Sequence, residues 1–194
     1  MDVPQKIGRF LSVVHRNNLL EKLFSYEKEY PEERTTVRSM SAFIKTHPRC
    51  FDRNLSVGHM TGSAWLMDAK FEKTLLTHHR KLDRWLQPGG HADGDSDIAG
   101  VALREAREES GLQALELVNG AIFDIDIHVI PDGPTEKAHL HYDCRFLICS
   151  MGKDQYVVSE ESKDLAWVYL RDLSQYTSDP SISRMAIKSA TKSL

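Results

Sequence analysis

The stretch Trp85–Leu112, WLQPGGHADGDSDIAGVALREAREESGL, constrains the fold more than any other part of the chain. Pro88-Gly89-Gly90 predicts a turn whose bare backbone can approach another group closely. A polar loop, His91 to Asp95, follows. Ser96 or Asp97 is a good helix N-cap, and Gly111 directly after Ser110 is a helix stop. A helix over about residues 97–110 is therefore predicted. Ile98, Val101, Ala102 and Ala106 give it a small apolar face suited to packing on a sheet. Glu105, Glu108 and Glu109, at offsets of three and four, share another face. Three carboxylates that close repel one another in an isolated helix. A divalent cation that prefers hard oxygen ligands reverses the sign of that interaction, and a glycine carbonyl can add a further oxygen. The competing reading is a solvated face balanced by Arg104 and Arg107.

Around this segment the pattern is mixed. Ile7, Phe10, Leu11, Val14, Leu19, Leu20, Leu23 and Phe24 form an apolar stripe at helical steps over residues 4–29. Pro31 interrupts it. A second helix is predicted from Glu32 to Thr46, with Val37, Met40, Phe43 and Ile44 inward and Pro48 beyond its end. Residues 1–54 thus read as a helical hairpin preceding a second unit, 55–194. In that unit Thr61–Met67, Lys73–His78, Leu115–Val118, Ile122–Ile130, Leu140–Cys149 and Ala166–Leu170 are strand candidates. Ile122, Asp124, Asp126 and His128 alternate with Phe123, Ile125, Ile127 and Val129, which predicts one polar and one apolar face. A short helix is expected near Ser183–Ser193. Helices interleaved with strands point to an α/β layered fold.

Charge narrows the function. Residues 1–54 carry ten Lys/Arg against seven Asp/Glu, and residues 55–194 carry fifteen against twenty-one. That acidic balance argues against a nucleic-acid partner, which needs a basic face, and suits a carboxylate-rich metal site. No apolar run reaches the roughly 20 residues of a membrane span, and no secretory signal pattern opens the chain. Cys50, Cys144 and Cys149 lack zinc-type spacing and read as reduced core thiols, which makes a cytoplasmic location the expectation.

Gly90 together with Arg104-Glu105-Ala106-Arg107-Glu108-Glu109-Ser110-Gly111-Leu112 resembles the Nudix box, G-x5-E-x7-R-E-U-x-E-E-x-G-U, over 23 residues. One position departs: Ser96 stands where the pattern has its upstream Glu. In the family that Glu mainly supports the loop–helix geometry, often through the Arg, and Asp95 or Asp97 is the natural substitute here. The resemblance implies an α/β/α sandwich with a mixed sheet, the box forming loop–helix–loop, and the hairpin lying outside the common core. It also implies hydrolysis of a nucleoside diphosphate linked to another moiety, by water attack on phosphorus. The cofactor is then Mg²⁺, with Mn²⁺ as a substitute. Carried over by position, Glu105, Glu108 and Glu109 are the metal-binding candidates, with the Gly89 carbonyl as backbone ligand. Glu105 or Glu109 is the catalytic candidate within the box. Many relatives use a further Glu from a later loop, for which Glu160 and Glu161 qualify and Glu161 is preferred.

Substrate contacts are read less directly. Arg80, Lys81 and Arg84 are phosphate contacts or an ordinary charged loop. Trp85 stacks on a base or packs in a hairpin. His139 and His141 share one strand face, continued by Asp143; such a pair binds metal or phosphate, with zinc disfavoured for want of further ligands, and lines the pocket or serves structural hydrogen bonds. The extra N-terminal element favours a bipartite substrate such as a nucleotide sugar or an ADP-ribose-like compound. A nucleoside triphosphate pyrophosphohydrolase and a weakly catalytic regulatory module are the alternatives. A Nudix-fold isomerase is disfavoured, because neither Cys144 nor Cys149 falls in a matching setting. The hairpin either caps the sheet or forms a homodimer interface, since its stripe exceeds what a lone hairpin buries.

Overall fold

The computed structural model describes residues 3–133, 137–152, 155–160 and 162–191, with side chains from residue 13 onward. Helices α1 (Val3–Glu29) and α2 (Arg34–Thr46) are followed by strands β1 (Gly58–Met67), β2 (Lys73–His79), β3 (Arg84–Leu86) and β4 (Gly89–His91). Then come α3 (Ile98–Ser110), β5 (Leu115–Ile130), β6 (His139–Ser150), β7 (Ser162–Tyr169) and α4 (Pro180–Thr191). Short 3-10 turns precede α2 and follow β7. No helix among the described residues is long and apolar enough to cross a membrane.

β1 is the centre of the mixed sheet and is buried along all its length. It pairs in parallel with β6 from Gly58↔Leu140 to Met67↔Cys149. On its other edge β4 occupies one end, at Thr61↔His91 to Ser63↔Gly89, and β2 the other, at Met67↔Thr74. The path β3-β2-β1-β6-β5 is completed by β7 on β2. α3 lies on β1 at Gly62, where an added Cβ would come within 2.7 Å of the Ile98 carbonyl oxygen. The glycine therefore sets how closely the helix approaches the sheet. The side-chain carboxylate of the Asp97 N-cap accepts the Gly100 N–H, and Gly111 ends α3 in the left-handed region, φ 73°. This is the α/β/α sandwich that the sequence predicts.

The layers follow from alternation along the strands. Met60, Ala64 and Leu66 face α1, α2 and α3 in one apolar cluster, whereas Trp65 and Met67 face α4 with Phe123, Leu147, Ile182 and Met185 in another. The hairpin joins the first cluster through Leu19, Leu23, Tyr26, Val37, Met40, Phe43 and Ile44. From Leu19 onward its stripe is thus largely covered within the chain. Val14 and Phe24, expected inward, are exposed instead. Phe24 sits about one-quarter turn off the Leu19–Leu23–Tyr26 line, with the Lys28 ammonium 4.2 Å above its ring. The side chains of Ile7, Phe10 and Leu11 lie outside the described residues.

Two strand expectations are corrected. Leu115–Val118 and Ile122–Ile130 are one strand, not two. Its register on β6 shifts between Leu117 and Ile122 and again between Ile122 and Asp124. The second irregularity puts Ile122 in the same cluster as Ile125, while Phe123 joins the α4 side, so strict alternation fails at that point. β7 starts at Ser162, four residues before the expected Ala166, because β2 offers pairing partners down to His79.

On the α4 side lies a buried ion network. The fully buried Asp124 carboxylate accepts from Arg145 at 3.0 Å, Arg184 at 2.8 Å and Lys188 at 2.6 Å. Arg145 also donates to Asp143 at 2.8 Å, and Asp143 accepts from Thr61 and Ser63. Lys188 reaches Glu33 at 2.6 Å, which links α4 to the start of α2. Burial acts to lower the Arg145 pKa, but Asp143, Asp124 and Asp126 outweigh it and hold it up. Asp124→Asn leaves three cations with one countercharge fewer. Breaking a buried pair costs about 3–5 kcal/mol, so urea denaturation of this variant should show a loss of that order.

Candidate active site

The site is built where α3 faces β4. Gly89 and Gly90 do not form the turn predicted for them. They are extended residues of a strand paired to β1, and neither has a positive φ. Their bareness serves close approach instead. The Gly89 N–H donates to Glu109 Oε1 at 2.8 Å. A Cβ on Gly90 would lie 2.5 Å from Glu105 Oε2. The carboxylates thus press against a strand whose side chains have been removed.

Arg104 organises the rest. Its guanidinium donates to Glu105 Oε1 at 2.8 Å and to the His91 carbonyl at 3.2 Å, and lies 3.8 Å from Glu108. The Glu105 hydrogen bond, with Glu108 and Asp95 nearby, raises its already high pKa. Glu109 is buried, Glu105 partly so, and Glu108 is the exposed member. Arg107 turns away from the cluster and donates to the Leu115 carbonyl at 3.3 Å.

The departure at Ser96 has a structural account. Ser96 is buried, with Oγ 3.2 Å from His15 Nδ1 of α1. Asp97 caps α3, and Asp95 Oδ1 accepts the Asp97 N–H at 2.9 Å. Of the two substitutes considered for the missing Glu, Asp95 supplies the charge near Arg104 and Asp97 supplies the cap.

The donors suit a hard dication: carboxylate oxygens of Glu105, Glu108 and Glu109 on α3, with the carbonyl of Gly89 on the neighbouring strand β4. The space that a Gly90 side chain would fill is taken by one of these carboxylates.

His139 and His141 are brought together with three histidines that sequence reasoning missed as a group. His59 of β1 is the register partner of His141, and His128 of β5 faces His141 from the other side. His91 follows the two glycines on β4. Ring centroids are 4.8 Å apart for His59–His139 and His59–His141, and 5.0 Å for His91–His141. Nitrogens of His59, His139 and His141 lie within 4.8 Å of one another, an arrangement compatible with a divalent cation. Burial and then the four neighbouring imidazoles push the His141 pKa down to about 2. Strand parity had grouped His139 with His141. The missing signal was register, since β1 and β6 are far apart in sequence and pair in parallel.

The other expected contacts lie elsewhere. Arg80, Arg84 and Trp85 belong to the β2–β3 edge of the sheet, whereas His139 and His141 are on β6. Arg80 donates to the carbonyls of Glu160 at 2.9 Å and Ser162 at 2.7 Å, anchoring the loop before β7. Lys81 and Arg84 are exposed. Trp85 stacks on His78 at 4.9 Å and meets Tyr176 edge-on at 5.2 Å. Glu161 lies outside the described residues. All three cysteines are buried and free, and burial pushes the Cys144 thiol up.

Comparison with known proteins agrees with this geometry. Residues 59–187 match the NUDIX domain model, well over half of the chain. The chain belongs to the Nudix family. A stretch of 88 residues is 32% identical to a probable DHNTP pyrophosphohydrolase of Lactococcus lactis subsp. cremoris, covering 44% of this chain and 52% of that protein. The match thus spans about half of the relative's length. Among solved structures, the dihydroneopterin triphosphate pyrophosphohydrolase of E. coli superposes with TM-score 0.51 at 14% identity, covering 66% of this chain and 91% of that one. The NUDIX domain of Shewanella oneidensis NrtR, complexed with ADP ribose, gives 0.51 at 17% identity, covering 77% and 96%. These two likenesses establish the shared fold.

In this Nudix site the Gly90–Glu105 contact has a direct test. Gly90→Ala has no backbone objection but displaces the end of a flexible side chain. Because a misplacement of about 1 Å can cost 100-fold in rate, kcat/KM should fall by about that factor while the melting temperature changes little.

Proposed function

We propose that this Nudix protein is a Mg²⁺- or Mn²⁺-dependent pyrophosphohydrolase whose substrate is a nucleoside triphosphate or a closely similar triphosphate. The observation that carries the reaction type is the locked carboxylate helix, with Gly89 N–H on Glu109 and Arg104 on Glu105. The triphosphate reading draws support from the sequence relative, whose name specifies a triphosphate substrate. The nucleotide-sugar or ADP-ribose-like compound expected from the hairpin loses its main argument. From Leu19 onward the hairpin packs into the core.

Bound at the glutamates, Mg²⁺ supplies positive charge against the phosphates and makes water a better nucleophile. The protein's own part is positioning. Gly89 fixes one Glu109 oxygen, and Arg104 holds Glu105 and neighbours Glu108, so the carboxylates are set before substrate arrives. Glu105, Glu109 and Glu161 are the candidates for taking the proton of the attacking water. Arg84 is a phosphate contact from the β3 edge, joined by Arg80 if it exchanges its carbonyl partners. Trp85, on the same edge as Arg84, is a further proposed substrate contact. We place the protein in the cytoplasm, and α1, with Val13, Val14 and Phe24 exposed, is our homodimer surface. Light scattering should give twice the 22.1 kDa chain mass; a monomer at micromolar concentration rejects that assembly.

Glu109→Gln is the sharpest test. The amide oxygen still accepts the Gly89 N–H, so the fold should persist while hydrolysis drops about 100- to 10,000-fold. Near-normal turnover removes the assignment. A panel of nucleoside and pterin triphosphates, nucleotide sugars and dinucleotides, run with Mg²⁺ or Mn²⁺ in ¹⁸O water, identifies substrate and attacked phosphorus. Turnover confined to diphosphate-linked compounds would replace the triphosphate reading. Nucleotide binding without turnover would make the chain a regulatory module.

A further inference from the structure

We propose that His59, His139 and His141 form a second metal site, separate from the glutamates, that takes a transition cation of the Zn²⁺ class. Three features of the chain converge on it. First, the sheet gathers the rings. His59 and His141 are register partners on parallel strands, and His139 lies two residues before His141 on the same face. One nitrogen from each of the three lies within 4.8 Å of the others. Zn–N bonds of about 2.0–2.1 Å in tetrahedral geometry place ligand nitrogens roughly 3.4 Å apart. The rings therefore need to close by about an ångström, which side-chain rotation supplies.

Second, the hydrogen-bond pattern presents lone pairs rather than N–H groups. His139 Nδ1 is 2.7 Å from the Lys137 carbonyl oxygen, so Nδ1 carries the proton and Nε2 is the base. A carbonyl behind the distal nitrogen is how metal-binding imidazoles are oriented. Third, His139 Nε2 and His141 Nε2 are buried and find no hydrogen-bond partner among the described residues. Burying such nitrogens without a partner is costly, and a cation between them satisfies both.

The donor chemistry separates this site from the first. Imidazole suits Zn²⁺, Cu²⁺, Ni²⁺ and Fe²⁺, whereas Mg²⁺ prefers oxygen. With three protein ligands, a fourth position remains for water or a further group. The His91 ring is 5.0 Å from His59 and from His141. His91 Nδ1 lies 3.0 Å from the Arg53 guanidinium, which donates to it, so its other nitrogen carries the proton. His91 is thereby a hydrogen-bond donor beside the open position rather than a fourth ligand. It is also the residue that follows Gly89 and Gly90, so the second site adjoins the strand that carries the proposed backbone ligand of the first.

The test uses the full chain, stripped with chelator and reloaded with Zn²⁺ or Co²⁺. One equivalent should survive desalting, and the Co²⁺ form should show the visible d–d bands of a tetrahedral nitrogen site. Glu109→Gln should retain both signals. His139→Ala and His141→Gln should weaken binding by about 100-fold or more. Failure of the wild-type chain to retain Zn²⁺ or to develop those bands overturns the proposal, without reference to any variant. So does a signal that Glu109→Gln abolishes and the histidine variants keep, since the cation then sits on the carboxylates. The hydrolase reading stands or falls separately, on Mg²⁺-dependent turnover.

Discussion

The approach of α3 to bare backbone is the contact on which the rest of the molecule is arranged. At Gly62 the helix backbone rests on β1, and at Gly90 a carboxylate occupies the volume of a missing side chain. A helix carrying three glutamates gains little by lying on an ordinary apolar strand. It lies on this one because its small residues, Ala102 and Ala106, fit the centre of the sheet while Glu105 and Glu109 meet backbone at the edge. The same contact that packs the helix fixes the direction of its charges.

The other face of the sheet handles charge differently. Asp124, Asp126, Asp143 and Glu33 balance Arg145, Arg184 and Lys188 across β5, β6, α4 and the entry to α2. Buried pairs of this kind add little net stability relative to apolar packing, but leaving one member uncompensated is expensive. Their value here is in arrangement. They tie the N-terminal hairpin and the last helix to β6 and the edge strand β5, which also carry His139, His141 and His128. Asp126, 3.1 Å from His128 Nδ1, is the point where this network meets the imidazoles.

Much of this was legible in the residues because it is local. The cap at Asp97, the stop at Gly111 and the inward positions of α2 follow from short-range rules and reappear unchanged. The carboxylates were readable for the same reason, since offsets of three and four fix a helix face. What escaped was non-local. Gly89 and Gly90 looked like a turn because nothing nearby in sequence shows that β1 passes alongside. His59 and His128 gave no hint of His141, since strand register is set by pairing rather than by spacing. Phe24 was misassigned because a stripe of mixed steps is wider than the face that the sheet covers. Nor could composition show that Arg80 would hold the loop before β7.

The irregular register of β5 has an outcome of its own. Leu117 pairs with Ile148, Ile122 with Phe146 and Asp124 with Arg145, so the strand takes up three extra residues and then one more relative to β6. Each odd insertion inverts which side a residue points to, and the even total restores the original phase. Odd-numbered positions Leu115, Leu117, Ile125 and Ile127 therefore all serve the same apolar layer, with even-numbered Ile122 joining them between the two defects. A single-residue deletion confined to one defect would cancel this compensation and swap the acidic and oily rows downstream. Length variation among relatives should accordingly be tolerated in this strand only in steps of two.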